Sequence, residues 1–300
     1  MPAERQRLRF RAMASDCELV AEHDGDATAA LLAARTEVER VEAKFSRYRD
    51  DSVVSAINRA AGGDPVHVDR ETAALLDFAA AAHEASDGLF DATSGVLRRA
   101  WDFRAGVVPT PATLAPLVRL VGWTRASWRR PAFALPLEGM ELDFGGFGKE
   151  YAADRACAVL AAQGIAHAHV NLGGDVRVLG PRADGTAWEI GIRHPRDERR
   201  VLASIALASG ALATSGDYER YFELDGRRYC HVLDPRTGMP VAGVRSVSVV
   251  APLCVVAGMH ATIAMLHGVD AKEYLDECGC AYLLVDGGGA VYGSLATTPT

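Results

Sequence analysis

Residues 142–176 read LDFGGFGKEYAADRACAVLAAQGIAHAHVNLGGDV, and the rest of the chain is organised around them. A short strand is expected to end at Asp143 and Phe144. Gly145, Gly146 and Gly148 follow. Three glycines in four positions let backbone amides come close to a ligand and tolerate positive φ. A helix is predicted from about Lys149, with Tyr151, Arg155, Ala158 and Ala162 at helical spacing and Gly164 as its stop. A second strand, HVNLGGDV, closes the stretch with another glycine pair and an acid. A glycine turn before a helix N-terminus suits phosphate, because free N–H groups and the helix dipole both favour anions. Lys149 would add a positive charge there. Spacing alone does not separate this reading from a tight turn that holds no ligand. The P-loop pattern fails, because Glu150 follows Lys149 and no glycine sits five positions before Gly148; the dinucleotide pattern GxGxxG fails too.

Before this stretch, residues 8–20 alternate loosely and contain a strand, with Met13 in it or in a turn. Leu31, Ala34, Val38, Val41 and Phe45 step by three and four, which predicts an amphipathic helix over 28–45. FSRYRDDSVVSAINRAAGG, from Phe45, reads as a polar, solvated loop. A second helix is expected over 71–86, ending at Gly88. Phe90 and Asp91 then form a turn, with Thr93 as the N-cap of a following helix. Residues 104–130, rich in Pro, Ala and Arg, are the least constrained. After the central stretch, Trp188, Ile190 and Ile192 alternate as a strand, and Asp225-Gly226 marks a hairpin. The turn Asp234-Pro235-Arg236-Thr237-Gly238 sits just after His231 and holds it at a strand end. A lone histidine is more often structural than catalytic; this placement shifts the balance toward function. Residues 255–267 are a helix that stops at Gly268. Hairpins and helices at irregular intervals predict an α+β fold, with largely antiparallel sheet and flanking helices, in a single domain over 1–300.

Composition narrows the function classes. The 300 residues carry a formal net charge of −7, which argues against a nucleic-acid surface. Any phosphate site must therefore be a local device. The six cysteines include no CxxC pair and suit free thiols in a reducing compartment. MPAERQRLRF has no apolar core of a signal peptide, so a cytoplasmic location is expected unless a leader has been removed. No run of about 18 apolar residues appears, so no membrane insertion is expected.

Several patches together resemble the FAD:protein FMN transferases, the ApbE family of flavin transferases. They are FSRYRDDSVVSAIN, GLFDATSGVL, LDFGGFGKEYAADRA, VNLGGDVRVLG, ATSGDYERYF and HVLDPRTGMPV, followed by the helix ending ATIAMLHG. The resemblance implies a fold of that family and an enzyme that binds FAD, cleaves its pyrophosphate, transfers FMN to a threonine hydroxyl of an acceptor flavoprotein subunit and releases AMP. It implies His231 as the base and Asp234 as the group orienting it. Met13, Tyr48, Leu89, Phe90, Asp91, Asp143, Lys149 and Val232 would line the FAD site. Magnesium would sit on the pyrophosphate, held by the glycine turn at Gly146 and by the helix positions Gly258 and Thr262.

The chain departs from that pattern at the metal. The family usually reads Ala-Asp-Ala-Leu-x-Thr, and here the run is Ala257-Gly258-Met259-His260-Ala261-Thr262. Gly258 leaves the site one carboxylate short, and a hard cation prefers carboxylate oxygens. Glu150 stands where the family usually has Gly and is one candidate replacement; His260 is another. An aspartate restored at 258 is expected to tighten magnesium binding. Two further functions stay open: an FAD pyrophosphatase, with water replacing threonine, and a non-catalytic flavin-binding protein. The missing carboxylate favours the last, whereas His231, the DPRTG turn and Thr262 favour chemistry.

Overall fold

Leu8, Phe10 and Ala12 alternate with arginines, and this period of two gives an edge strand with one apolar face. The computed structural model, which describes residues 3–296, pairs β1 (Glu4–Ala12) with β2 (Ser15–His23) in a hairpin. Met13 and Ala14 form its turn, with φ of 52° and 57°. Helix α1 (Thr28–Phe45) buries Leu31, Ala34, Val38, Val41 and Phe45, the stripe its spacing predicts. The polar run after it is not all loop. Ser52 accepts from Ser55 N and caps α2 (Val53–Arg59), which buries Val54 and Ile57. Next come β3 (Val66–His67) and α3 (Arg70–Ala85). Thr93 makes no cap bond; a 3₁₀ turn spans Ser94–Arg99 instead. The segment expected to be least constrained contains α4 (Pro111–Val118), capped by Thr110, and the short strand β4 (Ser127–Arg129); just after it β5 (Ala132–Ala134) pairs with β4 on one side and β3 on the other.

The central stretch is corrected in three places. No strand precedes the glycines: residues 141–144 are irregular. Helix α5 (Gly148–Ala162) starts at Gly148. HVNLGGDV is a hairpin, β6 (Ala168–Leu172) paired with β7 (Asp175–Leu179), turning at Gly173 and Gly174 with φ of 63° and 99°. The expectation had counted Asp175 as the end of one strand; it begins the next. That single-residue difference decides which side of the sheet Asp175 faces.

The remaining elements are β8 (Trp188–His194), β9 (Asp197–Leu207), β10 (Gly210–Gly216), β11 (Tyr221–Leu224), β12 (Arg227–Cys230), β13 (Val244–Ala251), α6 (Cys254–His267), α7 (Ala271–Cys278), β14 (Ala281–Asp286) and β15 (Val291–Tyr292). An eight-stranded sheet runs β1-β2-β6-β7-β10-β13-β14-β15, and every strand pairing among the described residues is antiparallel. The expected α+β class, with flanking helices, is the one observed.

Alternation sorts the two faces of this sheet. Ala168, Val170 and Leu172 of β6 join the main core under α1, α5 and α6. Val176 and Val178 of β7 point the other way, into a second core closed by the β8–β9 ribbon through Trp188, Ile190, Ile192, Ile205 and Leu207. Asp175 and Arg177 therefore lie on the helix side, where they meet Lys149 and Asp154 of α5. Burial of each such aliphatic side chain stabilises by roughly 1.5–3 kcal/mol, which holds the polar pairs between layers in place.

By length and composition alone, residues 254–278 pass as a membrane-crossing helix. The run is broken at Gly268 (φ 61°), and α6 buries Val255, Met259, Ile263 and Leu266 against β10 and β13. Its apolar character is accounted for by the core. The six cysteines are all free thiols.

Candidate active site

A cleft opens where the start of α5, the end of β10, the 3₁₀ turn at Ser94, the segment after β12 and α6 converge. Leu89, Phe90, Asp91, Asp143, Gly146, Lys149, Val232, His231, Gly258 and Thr262 all line it, as the sequence predicts. Met13 and Tyr48 do not. Met13 sits in the β1–β2 turn, its N–H donating to Glu42 Oε1 at 2.7 Å. Tyr48 is 75 % exposed and belongs to a neighbouring groove with Arg47, Arg98, Arg220 and His231.

The glycine turn works differently from expectation. None of Gly145, Gly146 and Gly148 has positive φ. Gly145 N–H donates to Asp143 Oδ1 at 2.8 Å, and the N–H groups of Phe147 and Gly148 both turn back to Phe144 O. These three amides hold the turn, so it is not an open fan of phosphate donors. Gly146 is glycine for space: a Cβ there would lie 2.9 Å from Phe90 Cζ. Its backbone thus reaches the cleft wall against the Phe90 ring.

Lys149 lies on the cleft floor. Its Nζ is 2.8 Å from Asp175 Oδ2, and Asp175 also accepts from Thr214 N–H at 3.0 Å. Burial works against the ammonium, but Asp175 and Glu150 outweigh it and raise its pKa, so Lys149 stays charged. An ammonium has three donors, and the ion pair to Asp175 leaves two for an anionic ligand.

His231 follows β12 directly. Its N–H donates to Arg220 O at 3.0 Å, and the Leu233–Pro240 bridge closes the turn beyond it. The imidazole Nδ1 is buried with no partner. Burial first, then the charges of Arg98, Arg220 and Lys149, push the pKa of His231 down to about 4. The ring is neutral at pH 7 and able to accept a proton. Asp234 does not orient it. The Asp234 carboxylate accepts from Arg236 Nε at 3.0 Å, from Arg236 NH2 at 2.8 Å and from Arg236 N–H at 2.8 Å. Its own N–H donates to Met239 O, so it builds the turn rather than the proton relay.

Asp91, expected to contact ligand, lines the cleft with its carboxylate turned into the scaffold. Oδ1 accepts from Thr93 N–H at 2.7 Å and Thr93 Oγ1 at 2.6 Å, and Oδ2 accepts from Trp123 N–H at 2.8 Å. Asp143 Oδ2 is 3.2 Å from Arg47. The sequence reading missed Arg98, Asp175, Thr214, Ser215 and Glu219, all of which line the cleft. VNLGGDV and ATSGDYERYF contain four of the five, and Arg98 directly follows GLFDATSGVL, but none of the five is assigned a role there.

The three metal positions, Gly146, Gly258 and Thr262, all line the cleft. Thr262 lies one helical turn after Gly258 on α6, and both line the cleft beside Glu150 of α5. Among the described residues no three His, Cys, Asp or Glu side chains cluster as a metal cage. A cage is not what magnesium on a diphosphate needs, since it takes one or two protein oxygens plus phosphates and water. The buried, partnerless Glu150 Oε2 and the nearby Thr262 hydroxyl fit that demand. His260 does not enter: its Nδ1 is 2.7 Å from Tyr274 Oη, on another face of α6.

A family model described as the ApbE family matches residues 13–292. Among similar proteins, an FAD:protein FMN transferase of Treponema pallidum is 34% identical over 275 residues, covering 81% of this chain and 76% of the relative. One of the same name from Vibrio cholerae is 33% identical, with 78% and 73% covered. The crystal structure of the ApbE protein from Thermotoga maritima superposes with a TM-score of 0.91 at 32% identity, covering 98% of this chain and 100% of that one. The flavin transferase ApbE from Vibrio cholerae superposes at 0.88 with 28% identity, covering 98% of each chain. The chain belongs to the ApbE family.

Proposed function

We propose that this protein is an FAD:protein FMN transferase, which binds FAD in the cleft and moves its FMN half to a threonine hydroxyl of an acceptor protein. The observation that carries the reading is His231, a neutral imidazole with a partnerless Nδ1 on the wall of the cleft that Lys149 floors. The relatives' shared name supports the same reaction class.

Phosphoryl transfer asks a protein mainly to position groups and neutralise charge. Phe90 and Leu89 supply apolar wall for a flavin ring, and Lys149 supplies fixed positive charge for the diphosphate. The threonine oxygen attacks the FMN phosphorus while its proton passes to the His231 ring. The bond from that phosphorus to the bridging oxygen breaks, and AMP leaves carrying the bridging oxygen. Burial first, then the charges of Arg98, Arg220 and Lys149, keep the His231 ring unprotonated before the threonine arrives, so a ring nitrogen is free to take the proton. A divalent cation, where bound, would neutralise the diphosphate; Thr262 and the backbone at Gly146 are donors placed for it.

The test is incubation with FAD, magnesium and candidate acceptor proteins, read as AMP release and as covalent flavin fluorescence on a denaturing gel. Labelled acceptor with equimolar AMP supports transfer. AMP without any labelled protein would make the chain a pyrophosphatase, and FAD binding with no AMP would make it a flavin carrier. Acceptor identity and location in the cell are proposals of the same standing: a flavoprotein subunit with a reachable threonine, in the cytoplasm unless a leader has been removed.

A further inference from the structure

The α5–α6 contact holds an exchange of side chains that explains Gly258. α6 approaches α5 so closely that a Cβ built on Gly258 would lie 2.6 Å from Glu150 Cγ and 2.7 Å from Glu150 Oε1. Real Cβ atoms do not come that near, so the Glu150 side chain occupies the volume a side chain at 258 would need. Glu150 is 9 % exposed, and its Oε2 is buried without a hydrogen-bond partner. A buried carboxyl oxygen with no donor is costly to ionise, and burial together with the Asp175 charge raises the pKa of Glu150 accordingly. It lines the cleft, as Thr262 does.

We infer that Glu150 is a divalent-cation ligand of the FAD-loaded site, with its carboxylate delivered from α5 because Gly258 on α6 has made room for it. The inference rests on the proposed FAD site and names the protein oxygen that completes the metal there. Its partners are the Thr262 hydroxyl and oxygens of the bound diphosphate, and the class of ion is a hard cation such as magnesium. The ion completes Oε2, and Lys149, which stays paired to Asp175, is left to face phosphate. It follows that an aspartate at 258 alone does not improve the site. Its Cβ collides with Glu150, and it adds a second acid to the same space.

The experiment is magnesium titration by calorimetry of the FAD-loaded protein without acceptor, with manganese and electron paramagnetic resonance as a second probe. FAD affinity is measured in parallel without metal. Glu150→Gln, which keeps the volume, is expected to weaken magnesium by at least about tenfold and to leave metal-free FAD affinity within about twofold. Gly258→Asp alone is expected to bind magnesium no more tightly than the parent. Glu150→Gly with Gly258→Asp, which moves the carboxylate back to α6, is expected to bind magnesium more tightly than Glu150→Gly alone. Parental magnesium affinity in Glu150→Gln overturns the inference, as does a reciprocal variant that folds and gains nothing over Glu150→Gly. If the reciprocal variant does not fold, Glu150→Gln decides alone. Failure of the parent to bind FAD would instead sink the proposed function.

Discussion

Asp91 and Glu150 are buried carboxylates on the same cleft, and they are in opposite states. Asp91 accepts three hydrogen bonds from Thr93 and Trp123 and ties the wall to the segment after α4. Glu150 leaves Oε2 with none. The same contrast separates Asp234, fully engaged by Arg236, from His231, whose Nδ1 has no partner. Satisfied groups build the site, whereas unsatisfied ones wait for a ligand or a proton. The rule has a limit. Thr72 Oγ1, His169 Nδ1 and Ser246 Oγ are also buried without partners, yet they do not line the cleft. An incomplete group points to function only when it opens on a space a ligand can enter.

The largest expected effect falls on His231. His231→Ala should lower the transfer rate by roughly 10²- to 10⁴-fold, the range for loss of a general base, and leave FAD affinity within about threefold. Single-turnover rates with FAD titrated separately check this. Transfer at the parental rate would place His231 with the structural orphans. Asp91 should respond on the other axis. Asp91→Ala leaves three donors in a buried wall without an acceptor and should destabilise the fold by about 3 kcal/mol. Glu150→Gln should change stability by less than about 1 kcal/mol, because no protein hydrogen bond to Oε2 is lost. Urea unfolding of both variants without FAD makes the comparison, and equal losses would erase the distinction between them.

Much of the fold was legible in the sequence, whereas the contrast between engaged and open groups was not, for physical causes. Helix α1 and the β11–β12 hairpin follow from local periodicity and an Asp-Gly turn, so their boundaries could be read within a residue or two. His231 and the turn after it were legible for the same reason. The resemblance to the family named ten residues that line the cleft, together with Met13, Tyr48 and Asp234, which do not. It could not say which were already engaged, because Asp91–Trp123 and Lys149–Asp175 join residues far apart in the chain. The glycines at 145, 146 and 148 suggested backbone freedom, while the structure uses Gly146 to admit Phe90. Gly258 looked like a lost ligand in one helix. Only packing of α6 on α5 shows that Glu150 stands in the same space.

A smaller effect appears with pH. His231 and His169 both have pKa values held down to about 4, mainly by burial. A depressed folded value means that the unfolded chain takes up the proton first. The stability each histidine contributes is therefore present above about pH 6.5, and it is lost as pH falls from there toward 4. Each accounts for about 3 kcal/mol at most. His169 packs edge-on against Trp188, 4.7 Å between ring centres, away from the cleft. His169→Leu should remove its share of the acid sensitivity and leave transfer unchanged at pH 7. Unfolding at pH 5 and pH 7 reads the first effect and the transfer assay the second; a loss of transfer would tie His169 to the site.

Tyr48 carries the smallest expected effect and the sharpest test of where the flavin site ends. The resemblance put it among the flavin contacts, whereas the structure puts it in the next groove, exposed, with its hydroxyl 3.4 Å from Arg98. That groove shares Arg98 and His231 with the cleft, so it opens on the base from the other side. On the proposed reaction, this groove is the route by which an acceptor hydroxyl would reach His231. Tyr48→Ala should leave FAD affinity within about twofold and stability within about 0.5 kcal/mol, since an exposed ring loses little burial. Any change should appear in the KM for the acceptor, with kcat at saturating acceptor unaltered, because uniform binding alone is removed. FAD titration with acceptor-dependent kinetics separates the two. A tenfold loss of FAD affinity with an unchanged acceptor KM would extend the flavin site to Tyr48 and remove the groove as the acceptor's approach.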